Sequence, residues 1–214
     1  MESVKKWFNE RIASVVIENL EKNGFKAVYF EKSDTAIKYI ESIVEDYFTI
    51  GFGGSMTVLQ DLGIAQLVSD KGKEILNHNL STLSPEEKLA IRKKQLTCDL
   101  FITSTNALTK DGKLINIDGV GNRVSAMIFG PKKTLVIAGI NKIVKDVNAG
   151  ISRIKEIASP MNTKRLNVNT PCAVTGECSD CNSPQRICRV TTIIEKKPNF
   201  SDIEVVIIGE NLGY

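Results

Sequence analysis

An α/β fold, with a mostly parallel sheet flanked by helices, is what this sequence predicts, and three observations predict it. Amphipathic helical stripes alternate with short apolar runs from the amino terminus onward. Those runs are too short for helices and end in Gly, Asn or Asp, as buried parallel strands do where their carboxyl ends open onto a crevice. The densest group of polar turn residues lies between residues 99 and 142, directly after one such run. The functional face is therefore expected at the strand carboxyl ends.

Residues 3–22 set Val4, Trp7, Phe8, Ile12, Val15, Val16 and Leu20 at offsets of three and four, the stripe of an amphipathic helix that Gly24 is suited to close. Residues 26–30 read as a strand. Ser33 reads as the cap of a helix over 34–46, with Ala36, Ile37, Ile40, Ile43 and Val44 as its apolar face. A strand over 47–51 then runs into GFGGSMTVLQDLG. Gly51, Gly53 and Gly54 let backbone N–H groups come close to an anion, and Ser55 and Thr57 add hydroxyls as a helix begins. The turn is neither a dinucleotide GxGxxG nor a P-loop with its lysine, so no nicotinamide site is expected. A tight strand-to-helix joint is its alternative use.

Residues 70–84 are polar and hold the only histidine, His78, which is expected on the surface, with a place as a donor near the crevice as the alternative. Ser84-Pro85-Glu86-Glu87 starts a helix that runs to about Cys98, with Arg92, Lys93 and Lys94 on a solvated face. Cys98 reads as a small core residue. In the stretch 99–142, strands are expected at 100–103, 125–129 and 135–138, with Asn106, Asp111, Asn116, Asp118, Asn122 and Arg123 in the first turn. Asn106, Asn116 and Asn122 can orient a ligand through their amides, Asp118 is the candidate acid/base, and Arg123 and Lys142 are candidate anion partners. A helix over 146–158, an irregular segment over 160–171 containing Lys164 and Arg165, and strands over 190–195 and 203–209 complete the chain. With no repeat and no linker, residues 1–214 are expected to form a single domain with a cysteine-rich loop at 170–190.

The chain has 214 residues, 42% of them hydrophobic, and a net charge of +3 from 28 basic and 25 acidic side chains. So balanced a charge argues against a dedicated nucleic-acid binder. No apolar run reaches about 18 residues, which argues against a membrane span. The amino-terminal stretch alternates apolar and charged residues at helical spacing, unlike a signal peptide. A cytoplasmic protein is expected, whose five cysteines are thiols or metal ligands rather than disulfides.

Four of those cysteines fall within seventeen residues, Cys172, Cys178, Cys181 and Cys188, separated by five, two and six residues. The residues between them are turn formers, so a short loop can gather its thiolates around one centre. Four soft sulfurs suit zinc or an iron–sulfur cluster, although neither the zinc-ribbon nor the ferredoxin spacing is matched. Arg186 and Arg189 could offset the thiolate charge. A redox-active Cys178/Cys181 pair is an alternative, as are thiols without a role.

GGSMTVLQDLG, ITSTNALTKDGKLINIDGVGNRVSAMIFGPKK and VIAGINKIV resemble the LUD-domain family, the lactate utilisation protein C-like proteins. The tail from TPCAVTGECSDCNSPQRICRVT to GENLGY resembles its cysteine-bearing branch. The resemblance implies the fold shared by ribose-5-phosphate isomerase, glucosamine-6-phosphate deaminase and the CoA transferases. It also implies a link to the oxidation of lactate to pyruvate beside iron–sulfur partner proteins, and a homodimer, as related folds often form. Where the isomerases carry a catalytic Asp in a Gly-Ala-Asp turn, this chain has Ser104-Thr105-Asn106, and an amide is no general base near neutral pH. No glutamate stands at the CoA-transferase nucleophile position.

Three functions follow as expectations. The first is a lactate-utilisation component that binds a small carboxylate or phosphorylated ligand through 53–57, Asn106, Asn116 and Lys142, with electrons leaving through a cysteine-held cluster. The second is a zinc-stabilised regulatory or interaction subunit. The third is an enzyme of the sugar-phosphate isomerase kind.

Overall fold

The computed structural model describes residues 2–214. Its strands are β1 (Lys26–Phe30), β2 (Thr49–Phe52), β3 (Glu74–Leu76), β4 (Leu100–Thr103), β5 (Ala107–Thr109), β6 (Leu114–Asp118), β7 (Lys133–Gly139), β8 (Ile143–Val144), β9 (Val190–Ile194) and β10 (Ile203–Ile208). Six of them form one sheet in the order β1-β10-β7-β4-β2-β3, every pair parallel. A second sheet, β8-β5-β6-β9, is built around the antiparallel β5–β6 hairpin.

The large sheet is buried on both faces, which is why its strands are continuous apolar runs. Successive side chains alternate between two cores. Ile203, Val205 and Ile207 of β10 join Phe101 and Val136 in a core with Val16 and Leu20 of α1 (Glu2–Lys22). Val206 and Ile208 join Leu100, Ile102, Leu135 and Ile137 in the other, against Ala36, Ile40 and Val44 of α2 (Ser33–Glu45) and Ile64 and Val68 of α3 (Ile64–Asp70). The second sheet has a small core of its own, in which Ala107 and Ile115 meet Ile154 and Ala158. There α6 (Val147–Arg153) rides so close that a Cβ on Gly150 would lie 2.4 Å from Ile115 Cδ1.

Several expectations hold and several are corrected. The helix expected from Ser84-Pro85-Glu86-Glu87 is α4 (Pro85–Lys94), and its start is closed by a capping box, Ser84 Oγ accepting from the Glu87 N–H while Glu87 Oε2 accepts from the Ser84 N–H. Cys98 is buried in the first core. In α1 only Val16 and Leu20 of the stripe are buried and Ile12 is half-buried, while Val4, Trp7, Phe8 and Val15 are exposed. A 21-residue helix, at about 1.5 Å per residue, overhangs a five-residue strand. Ser33 is not the cap of α2: the extended Lys32 holds that position and makes no side-chain cap bond.

Residues 125–129 are not a strand but lie in or just beyond α5 (Asn122–Ile128), which buries Val124, Ala126 and Met127. Five residues are too few to separate the two periods, and Val124, Met127 and Ile128 stand at helical offsets. The supposed long turn before it is the β5–β6 hairpin. The segment 160–171 is irregular only over 166–170. The helix begun at α6 continues through a π-helical stretch, Ile154–Ala158, into α7 (Ser159–Arg165). Widening the backbone ladder just ahead of Pro160 accommodates the missing N–H and the proline ring. A short helix, α8 (Pro171–Thr175), then opens the cysteine loop. Among the described residues no helix is long and apolar enough to cross a membrane.

At the amino ends of β7 and β10, Lys133 Nζ pairs with Glu204 Oε2 at 2.7 Å, both side chains being buried, and Tyr39 donates to the other Glu204 oxygen. Breaking a buried pair from one side leaves an uncompensated charge. Glu204→Ala should therefore lower the unfolding free energy by about 3 kcal/mol in urea titrations. A change under about 1 kcal/mol would show that Asp202, 3.3 Å from the same ammonium, suffices on its own.

Candidate functional site

Parallel pairing brings the carboxyl ends of β2, β3, β4 and β7 to one edge, and a crevice of about 280 Å³ opens there. Gly53, Gly54, Ser55 and Thr57 arrive after β2, Ser104 and Asn106 after β4, and Lys142 after β7. The end of β6 and the start of α5 close the opposite wall with Asp118, Asn122 and Arg123. Of the predicted ligand-binding residues only Asn116 fails to line it; its side chain is buried behind the wall.

The glycine turn hugs β4. The Gly53 N–H donates to Ile102 O at 3.1 Å, and a Cβ there would lie 2.5 Å from Thr103 Oγ1, so no side chain fits. Beyond the turn the Thr57 hydroxyl accepts from Lys142 Nζ at 3.2 Å, while Ser104 Oγ accepts from the same nitrogen at 2.8 Å. Lys142 is 4% exposed and has no carboxylate within ion-pair distance among the described residues. Burial, and then the nearby Arg153 and Arg123 charges, lower its pKa to about 7, against a weaker opposing pull from Asp61.

Arg123 ties the hairpin to the large sheet. Its Nε donates to Asp118 Oδ1, its Nη1 to Ser104 O and Asn116 Oδ1, and its Nη2 to Asn106 Oδ1 and Ile117 O, at 2.9–3.3 Å. A guanidinium has five N–H donors, and all find protein acceptors, so Arg123 offers a ligand its field rather than a hydrogen bond. Asp118 is spent in the same network: Oδ1 takes Arg123 and Oδ2 takes the Val124 N–H at 3.3 Å. Asn116 Oδ1 also accepts from the Asn106 N–H, and its buried Nδ2 has no partner.

Two residues expected on the surface belong to this wall. The polar stretch 70–84 contains the edge strand β3, whose carboxyl end carries His78 into the crevice, where it is 7% exposed. The buried Gln95 amide donates to Phe52 O and Leu76 O, so its Oε1 is the acceptor. His78 Nδ1, 3.2 Å away, must then carry the proton, leaving Nε2 as an acceptor. Burial, and next the Arg92 charge, lower the imidazole pKa to about 4. Arg92 itself lines the crevice with a buried Nε that has no partner, while Lys93 and Lys94 are exposed as expected. Arg165 reaches the same wall from α7. Four cations thus face one carboxylate side chain, Asp118, among the described lining residues.

The four loop cysteines also come together. Cys172, Cys178, Cys181 and Cys188 are free thiols that line a single cavity of about 20 Å³. Hydroxyls approach two of the sulfurs: Thr163 Oγ1 and Thr170 Oγ1 lie 3.4 and 3.5 Å from Cys172 Sγ, and Ser159 Oγ lies 3.2 Å from Cys188 Sγ. Burial pushes the Cys188 thiol pKa up. No three His, Cys, Asp or Glu side chains among the described residues close on a single metal-ion position.

A family model described as the LUD domain matches residues 13–208. The chain belongs to the LUD-domain family. Its structure is similar to the crystal structure of a DUF162 family protein from Deinococcus radiodurans, with a TM-score of 0.55 over 94% of this chain and 98% of that one, at 12% identity. That likeness shows the fold, and the six-stranded parallel sheet with its flanking helices is compatible with the ribose-5-phosphate isomerase and glucosamine-6-phosphate deaminase arrangement. A search of curated proteins finds no match.

The environment of His78 in this LUD domain has a measurable consequence. Its folded pKa lies below the ordinary 6.5, so the unfolded chain binds the proton first and stability falls as pH drops from about 6.5 towards 4. The loss at pH 5 should be roughly 2 kcal/mol relative to pH 7. Urea unfolding at the two pH values should show this difference in the wild type and lose most of it in His78→Gln. An unchanged difference in the variant would mean that other groups carry it.

Proposed function

We propose that the crevice binds a small metabolite bearing a carboxylate or phosphate, and that the chain serves lactate utilisation, the process with which its family is associated. The observation that carries this reading is the unpaired ammonium of Lys142. A buried charge is tolerated when it is compensated, and two neutral hydroxyls leave Lys142 with room for an anion. The surplus of cations in the wall supports the same sign of ligand. A volume of about 280 Å³ suits a molecule of a few heavy atoms better than a nucleotide.

In this reading Asn106 orients the ligand, Asp118 positions Arg123, and His78 Nε2 accepts from a hydroxyl on the ligand. None of these side chains has a redox couple. Oxidation of lactate to pyruvate would therefore need an acceptor for two electrons, iron–sulfur centres held by the four-cysteine loop or by a partner protein, with His78 Nε2 taking the hydroxyl proton and the other proton leaving to solvent.

Calorimetric titration with lactate, pyruvate and inorganic phosphate, with lactamide as the uncharged control, tests the reading. At least one anion should bind and lactamide should not. Lys142→Met should weaken binding by about 30-fold, the worth of a charge-assisted hydrogen bond of about 2 kcal/mol. Wild-type affinity should fall as pH rises above about 7, where the ammonium of the free protein loses its proton. Equal binding of lactate and lactamide, or an unaffected Lys142→Met variant, would overturn it.

A further inference from the structure

The cysteine loop is folded around its own cavity by contacts that have nothing to do with the anion. Arg186 straps it: Nε donates to Cys188 O at 2.7 Å, Nη1 to Cys181 O at 2.6 Å, and Nη2 to Asp180 Oδ1 at 2.7 Å. The strap pins Cys181 and Cys188 from the backbone side. On the other side, α8 delivers Cys172 against the Thr163 hydroxyl of α7. Asp180, at φ +48°, makes the left-handed turn between Cys178 and Cys181. Three separate segments thus aim four free thiols at one small space.

We propose that Cys172, Cys178, Cys181 and Cys188 ligate a cubane iron–sulfur cluster in this cavity. All four ligands are soft, as such a cluster requires. Zinc would need its sulfurs about 2.3 Å from a common point, and no three of these side chains close on one. A cubane instead takes one thiolate at each corner, so its four sulfurs line a common cavity without closing on one point, as these do, and the cavity of about 20 Å³ widens when the core is built in. Four thiolates leave the common oxidised cubane with net negative charge, and the two cations that line the cavity, Arg186 and Lys155, outnumber the one carboxylate, Asp180, with which both pair. The hydroxyls near Cys172 and Cys188 are of the kind that hydrogen-bond cluster sulfurs and tune their potential.

The placement also matters. Ser159 and Ile187 line both this cavity and the anion crevice, so one layer of side chains separates the cluster from whatever the crevice holds. Cluster binding does not depend on the anion reading, and each can fail alone.

The full chain, purified without oxygen and reconstituted with ferrous iron and sulfide under thiol reductant, decides the matter. Expected are about four irons and about four acid-labile sulfides per chain, a broad absorption shoulder near ~400 nm, and an EPR signal on reduction with dithionite. Cys178→Ala and Cys181→Ala should each lose most of the iron, while Cys98→Ser, far off in the core, should keep it; circular dichroism checks that each variant folds. One zinc without sulfide, or neither metal after reconstitution, would overturn the proposal. So would loop variants that fold and retain the full iron and sulfide content. Calorimetry with lactate and phosphate on the same samples reports separately on the crevice.

Discussion

Taking a lysine ammonium out of water at the carboxyl edge of a parallel sheet constrains much of what surrounds it. Lys142 follows the fully buried strand β7, and the strands beside and beyond it supply the oxygens that make the burial tolerable: Ser104 after β4 and Thr57 after β2. Those two hydroxyls can reach the same nitrogen because β4 pairs with both β7 and β2, so their carboxyl ends emerge together. The Gly53 turn is tight where it passes β4, since a side chain there would push against Thr103 and Phe101. Arg153 and Arg123 tie neighbouring loops to this point, each through carbonyl acceptors, and their charges add to the cost of keeping the ammonium ionised. The crevice is consequently a place where positive charge is concentrated and only partly answered.

The Arg123 network shows how the second sheet came to be part of the site. A three-residue and a five-residue strand with polar members make a weak hairpin by themselves. Asn106 and Asn116 lock it by exchanging side-chain bonds with each other's strand and with Arg123. The polar residues that looked like a ligand's partners in the sequence are, for the most part, one another's. This is also why, among the described lining residues, no carboxylate side chain is free: Asp118 is held by Arg123 and by the start of α5.

What could be read from the chain, and what could not, follows from which signals are local. The helical stripes of α2 and the apolar runs of β1, β4, β7 and β10 depend on residues a few positions apart, and they were legible. So were Lys142 and the glycine turn, because each stands directly after such a run. The hairpin was not, since Asn106 and Asn116 break its apolar alternation and owe their stability to an arginine further along. The burial of His78 was invisible because it depends on Gln95, which is itself fixed by carbonyls from β2 and β3. Arg92 looked solvated because its neighbours Lys93 and Lys94 are. One residue's rotation round a helix turned it to the crevice.

The two sites of this protein therefore differ in how they are made. The crevice is a by-product of topology: any parallel sheet offers such an edge, and this one fills it with charge and hydroxyls. The cysteine cavity owes nothing to the sheet. It is assembled by an arginine strap, a left-handed aspartate and two helix ends, all within one excursion of the chain between α7 and β9. That excursion returns to the sheet through Ile187, whose backbone lies against Gly119 at the end of β6. A Cβ at that glycine would stand 3.2 Å from Ile187 O, so the absence of a side chain at Gly119 is what lets the loop sit close to the crevice wall. The closeness of the two sites is thus a property of the backbone, present whether or not either is occupied.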